Sequence, residues 1–161
     1  MIESGSVSVQ FRDVKVSPLV AEVFASLSSK ATEREISLVN DVPSHATVRA
    51  DSVRLDQMLT NLVDNAIKFN RRGGSVSVAF ERGDAADSIS VADTGEGMTS
   101  EQMERIFERF YRADRARSRE VGGTGLGLAI VKHLAKLHGG EVTVSSELTR
   151  GTRFQIEFPA A

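Results

Sequence analysis

Cysteine is absent from the 161-residue chain, which excludes a disulfide framework, a Cys-based zinc site and a thiol nucleophile. Nothing in that conflicts with a reducing cytosol. No apolar run approaches the roughly 20 residues that span a bilayer. The N-terminus also lacks the charged-then-apolar order of a secretory signal, so a soluble, cytoplasmic chain without direct membrane contact is expected. A dominant charge is missing too. Twenty basic residues stand against 22 acidic ones, a formal charge of −2, which gives no general attraction to nucleic acid or anionic lipid. The one dense arginine cluster, "RFYRADRARSR", also carries acids and reads as a solvated segment, so no nucleic-acid partner is expected. There is no internal repeat and no long low-complexity linker. What is there, 40% apolar and 26% charged residues, fits one globular domain large enough to bury its own core.

"VKV" at 14–16 predicts a short strand. Ser17-Pro18 then predicts the N-cap and first residue of a helix with Leu19, Val23 and Leu27 on one face. "ISLVN" and "ATVRA" read as strands, the second ending at Asp51. Asp51 or Ser52 can cap a helix over 52–69 with the apolar stripe Leu55, Met58, Leu59, Leu62 and Ala66. The alternating runs "GSVSVAFE" and "DSISVAD" predict a hairpin, as do "EVTVSSE" and "TRFQIEF". Between the hairpins lie a short helix around 100–108, an Arg-rich stretch, and a helix that opens at "GGTGLGL" and stops at Gly139-Gly140. Strands joined as hairpins predict an α+β fold. The expected form is a two-layer α/β sandwich, with a mixed, largely antiparallel sheet of about five strands covered by about three helices.

Four clusters carry the chemistry. The glycines of "GGTGLGL" do not fit a dinucleotide fingerprint, because arginine-rich loop sequence rather than a strand precedes them, and no Walker lysine follows. They remain a loop opening a helix, either a hinge or a cradle whose backbone N–H groups accept an anion. In "NLVDNAIKF", Asn61, Asn65 and Lys68 follow i, i+4, i+7 and share one side of their helix, roughly 100° from its apolar stripe. That side is a solvated face, or one where an Asn carbonyl meets Mg²⁺ and Lys68 a phosphate. "DTGEGM", at the end of a strand, is an ordinary turn, or a carboxylate facing an amine with Gly95 and Gly97 bringing backbone to a flat base. No second Asp-Thr-Gly element is present to build an aspartic-protease pair. In "IFERFYRADRARSR", Phe107 and Phe110 are core aromatics or anchors for Arg109, Tyr111 and Arg112.

Taken in order, these clusters resemble the catalytic ATP-binding domain of sensor histidine kinases. "NLVDNAIKF" resembles the N box, "DTGEGM" and "GGTGLGLAIVKHLAKLHGG" the two glycine boxes, and "IFERFYRAD" the F box. The resemblance runs from about residue 14 to the end. It implies a Bergerat fold and an ATP–Mg²⁺ site under a mobile lid, roughly Arg112 to Gly123. Asn65 would then hold Mg²⁺, Lys68 a phosphate, and Asn61 would stand beside them. Asp93 would accept from the adenine amine, Gly95 and Gly97 would line the base, and Thr152 would support Asp93 through its hydroxyl or a water. Tyr111 and Arg112 would meet the nucleotide, and Gly123, Thr124, Gly125, Leu126, Gly127 and Leu128 would form the phosphate side. In the ATPase branches of this fold the position of Asn61 resembles that of a water-activating glutamate, and Asn cannot serve as a base.

The resemblance also implies an acceptor histidine outside this chain. His45 sits in a turn, His133 on the apolar side of its helix and His138 before a Gly-Gly stop, and none has an acceptor's context. Residues 1–13 resemble the exit from a helical dimerisation domain, with 14–161 forming the ATP-binding domain. The implied partners are the dimerisation and phosphoacceptor domain of the parent protein and a downstream response regulator. The isolated domain is expected to be monomeric. A nucleotide-binding module without catalysis and a protein serine kinase of the same fold are the alternatives.

Overall fold

The computed structural model describes residues 8–108 and 127–159. Two short strands, the first and third in the chain, stand apart from the main sheet. β1 (Arg12–Lys15) pairs antiparallel with β3 (Thr47–Ala50), with Val14 opposite Val48. The other five strands are β2 (Ser37–Asn40), β4 (Ser75–Glu81), β5 (Ala86–Asp93), β6 (Glu141–Glu147) and β7 (Gly151–Pro159). They form one sheet in the order β2-β4-β5-β7-β6. β2 runs parallel to β4, and the remaining pairs are antiparallel. Both expected hairpins are present, and the sheet is mixed and largely antiparallel as predicted.

Among the described residues there are four helices: α1 (Val16–Glu33), α2 (Ser52–Lys68), the short α3 (Ser100–Arg105) and α4 (Gly127–Leu137). α2 packs between α1 and α4 and lies on β4 and β5. Its buried stripe is wider than the sequence suggested: Leu55, Met58, Leu59, Leu62, Val63 and Ile67 expose no surface. Alternate sheet residues share the core with it, namely Val76 and Val78 from β4, Ile89 and Val91 from β5, and Phe154, Ile156 and Phe158 from β7. That period of two places the opposite residues of each strand on the other face.

Local chemistry explains most boundaries and one correction. Asp51 caps α2, its Oδ1 accepting from the N–H groups of Val53 and Arg54 at 3.0 and 3.1 Å. Its Oδ2 accepts from Gln10 N–H at 3.0 Å, so the same carboxylate also ties down the segment before β1. α1, by contrast, starts at Val16, with Lys15 as an N-cap that makes no side-chain bond. Ser17 is therefore not the cap. The Val16 N–H donates instead to Ala46 O at 3.1 Å, a tertiary partner that does the work of a cap. Pro18 is tolerated because first-turn amides have no partner inside the helix.

The histidines divide. His138 is 3% exposed, and its Nδ1 lies 2.8 Å from Leu134 O. A carbonyl only accepts, so Nδ1 carries the proton, and Nε2 accepts from Asp51 N–H at 3.1 Å. Phe11 and Phe158 meet its ring edge-on. This is a structural histidine, as expected. His45 lies exposed in a turn, also as expected. His133 does not lie on the apolar side of α4 but is exposed. The buried residues Leu128, Val131, Leu134 and Ala135 define a stripe from which position 133 is turned away at 100° per residue.

Candidate functional site

The polar side of α2 is formed as its spacing predicts. Asn61, Asn65 and Lys68 are all partly exposed, on the flank away from the buried stripe. Asn61 Nδ2 donates to Gly127 O at 3.3 Å, which joins α2 to the first residue of α4. The Asn65 side chain takes no hydrogen bond from the described residues, so its amide oxygen is available. Lys68 is not free. Its Nζ meets Asp64 Oδ2 at 3.1 Å, while Lys30 from α1 holds Asp64 Oδ1 at 3.2 Å. Asp64 thus sits between two ammonium groups, a role the sequence reading missed.

The second half of the site is built at the end of β5, where Asp93 leaves the sheet. Its Oδ1 accepts from Gly95 N–H at 2.8 Å and from Thr152 N–H at 3.2 Å. Oδ2 accepts none among the described residues. Burial pushes the Asp93 carboxyl above its ordinary pKa of 3.8, and the Gly95 and Thr152 N–H groups partly oppose this. Thr152 therefore supports Asp93 through its backbone. Its hydroxyl lies instead 2.8 Å from Ser146 Oγ.

Gly95 and Gly97 have a structural reason to be glycine. A side chain at Gly95 would place its Cβ 2.5 Å from Phe69 O. Gly97 adopts φ +76°, and a Cβ there would collide with the Glu147 carbonyl. The Asp93–Met98 turn is thus pressed against the end of α2 on one side and the β6–β7 turn on the other. Thr149 N–H donates to Glu96 O at 2.7 Å, and Met98 N–H to Ser146 Oγ at 2.8 Å. Asn70, without exposed surface, bridges α2 to the turn: its Oδ1 accepts from Thr94 Oγ1 at 3.2 Å and its Nδ2 donates to Ser75 O at 2.9 Å.

Asn65 stands one helical turn before Phe69, whose carbonyl lies against Gly95. The amide face of α2 and the Asp93 turn therefore adjoin. Leu128 is 9% exposed and packs in the core. Phe107, partly buried, stacks edge-on against Phe154 with ring centroids 5.9 Å apart. Arg109, Phe110, Tyr111, Arg112, Gly123, Thr124, Gly125 and Leu126, with the expected lid between Arg112 and Gly123, lie outside the described residues.

Residues 50–161 match the family described as histidine kinase-, DNA gyrase B-, and HSP90-like ATPase. The sensor-like histidine kinase SenX3 of Mycobacterium tuberculosis is 43% identical over 148 residues, 92% of this chain and 36% of that protein. The chain thus spans about a third of the length of the curated relatives it matches first. The catalytic domain of histidine kinase ThkA superposes with a TM-score of 0.80 at 28% identity, over 93% of this chain and 95% of that one. ThkA has also been solved in complex with response regulator protein TrrA, at TM-score 0.77 and 25% identity, over 95% of this chain and 42% of that one. Full-length ShkA in complex with AMPPNP superposes at TM-score 0.82 and 34% identity, over 96% of this chain and 32% of that one. The fold, the match over residues 50–161 and these relatives together place the chain in the histidine kinase-, DNA gyrase B- and HSP90-like ATPase family, on its sensor-histidine-kinase branch.

Proposed function

We propose that this domain binds ATP with Mg²⁺ and donates the γ-phosphoryl group to a histidine on a separate dimerisation domain of the same parent protein. The observation that carries the reading is the juxtaposition of two half-sites. Asp93 offers a carboxylate oxygen at the strand end, and beside it α2 presents amides rather than a free carboxylate. Asn65 fits a Mg²⁺ site because its amide oxygen is a hard donor without a partner among the described residues. Among those residues no group of three His, Cys, Asp or Glu side chains converges, so phosphate oxygens and water would complete the shell. When bound, the ion neutralises charge on the phosphates. Lys68, oriented by Asp64, supplies a second positive charge there.

Asp93 accepts from the adenine amine through Oδ2 while the Gly95 and Thr152 amides hold Oδ1. Gly95 and Gly97 line the base. Tyr111, Arg112 and Gly123 to Leu126, followed by Gly127 and the backbone of Leu128, whose side chain is in the core, complete the nucleotide contacts. Asn61 occupies the face where a hydrolase needs a base, and the nearby acid Asp64 is held by Lys30 and Lys68. Water is therefore poorly activated, and the phosphoryl group waits for a nucleophile. On transfer the acceptor nitrogen bonds to the γ-phosphorus as the β–γ bridging oxygen departs with ADP.

The domain so read takes in Gln10 to Asp13 as well as 14–161, because Gln10 is bonded to Asp51 and β1 is paired with β3. The parent acts in the cytoplasm on its phosphoacceptor domain and passes the group to a response regulator, and the isolated domain is a monomer. The test is incubation of the chain with Mg²⁺ and labelled ATP beside a His-bearing dimerisation domain and a Ser-bearing protein partner. Acid-labile label on the first is expected. Acid-stable label on the second would favour a serine kinase, and ADP binding without any label would leave a binding module.

A further inference from the structure

The loop between α2 and β4 carries a side chain that the nucleotide reading does not use. Arg71 is exposed, the usual setting of a solubilising arginine. Its guanidinium is nevertheless committed to three backbone carbonyls. Nε donates to Thr94 O at 2.7 Å, and Nη2 donates to Gly95 O at 3.2 Å and to Thr149 O at 2.6 Å. The first two belong to the turn after Asp93 and the third to the turn joining β6 and β7. Arg71 is itself held at its base, where its N–H donates to Asn70 Oδ1 at 2.8 Å.

The two amides that fix Asp93 come from separate places, Gly95 from its own turn and Thr152 from β7. A single carboxylate oxygen can accept from both only while those segments keep their spacing. We propose that Arg71 is a positioning residue of the nucleotide pocket: by clamping Thr94 and Gly95 to Thr149, it holds the Gly95 and Thr152 amides around Asp93 and so aims the remaining oxygen at the base. This rests on the reading of Asp93 as the adenine contact. A planar fork with separate Nε and Nη donors is required, and a lysine ammonium cannot replace it from one point.

The test compares Arg71→Ala and Arg71→Lys with Arg72→Ala. Arg72 meets Glu35 at 2.6 Å in an exposed pair of the kind that contributes little, so that variant controls for charge and locale. In the free chain, amide exchange at Gly95 and Thr152 should accelerate by about tenfold or more in both Arg71 variants, and stay as in wild type in Arg72→Ala. Calorimetry should show ADP affinity reduced by about tenfold or more. The ratio of affinities with and without Mg²⁺ should be unchanged, because α2 is untouched. A lowered melting temperature with wild-type ADP affinity and unchanged exchange at Gly95 and Thr152 would mean a merely structural arginine and overturn the proposal. Failure of the wild-type chain to bind ADP would remove the nucleotide reading and this role with it. Wild-type binding that is lost in Asp93→Asn but kept in Arg71→Ala would overturn the role of Arg71 alone.

Discussion

Replacing Asp93 by Asn changes one atom in the candidate pocket and separates binding from folding. The variant keeps an oxygen where Oδ1 accepts from Gly95 and Thr152, so the turn can form. In place of Oδ2 it presents an NH₂ donor to the donor amine of adenine. Losing a hydrogen bond to a charged acceptor costs about 1.5–3 kcal/mol, and leaving a buried donor unmatched about 1–3 more. The sum of about 2.5–6 kcal/mol corresponds to a weakening of roughly 10²- to 10⁴-fold. Stability should move the other way. Burial raises the Asp93 pKa above 3.8, so the native state holds this proton more tightly than the unfolded chain does. The stability it contributes is fully present below 3.8 and lost as pH rises through the folded value. Asn has no such proton to lose. At neutral pH the Asp93→Asn protein should melt at or above wild type, and that advantage should shrink as the pH falls through the same window. Calorimetry with ADP and thermal melts from acid to neutral pH measure the two effects. An ADP affinity within about threefold of wild type, or a variant clearly less stable at neutral pH, would refute the reasoning.

Asn65→Ala leaves the Asp93 turn intact, so ADP affinity should fall by less than about tenfold. Phosphoryl transfer, followed with labelled ATP and a supplied dimerisation domain, should fall by about a hundredfold or more. Asp51→Ala removes the cap of α2 and the Gln10 contact and should cost about 1–2 kcal/mol in urea unfolding at neutral pH. The Gln10 N–H, with those of Arg54 and Val53, holds the Asp51 carboxyl below 3.8 against the opposing effect of burial. Its stabilisation is therefore present above 3.8 and lost as pH falls through the folded value, and the gap from wild type should close in acid. Gly97→Ala forces a side chain into the left-handed region and onto the Glu147 carbonyl; a loss of about 1–3 kcal/mol in thermal melts is expected, together with weaker ADP binding.

The parts of the molecule that a local pattern dictates were readable from the chain. Alternation in "GSVSVAFE" and "DSISVAD" requires one face in and one out, and the β4–β5 pairing follows, with Val78 opposite Val91. The α2 stripe and its Asp51 cap follow from spacing and side-chain reach alone. What escaped depended on partners distant in sequence. The start of α1 is set by Ala46 O, about 30 residues on, and the Thr152 hydroxyl is drawn away by Ser146. Asp64 has no local signature either, because one of its two ammonium partners, Lys30, comes from α1. Arg71, in "NRRGG", has no local signature because its three acceptors are backbone atoms of two other turns.

The β1–β3 ribbon and the Gln10–Asp51 bond have a mechanical consequence. β1 shares no ladder with the five-stranded sheet, so a pull on the chain ahead of Gln10 loads that hydrogen bond and then four paired positions of a short ribbon. These lie in series with the Asp51 carboxylate, whose other oxygen closes the first turn of α2. Tension at this point would therefore fray the helix carrying Asn61 and Asn65 from its far end. The strands under Asp93, which lie off the load path, would stay paired. Held by four paired positions and sharing no ladder with the sheet, the ribbon would be expected to yield before the five-stranded sheet does.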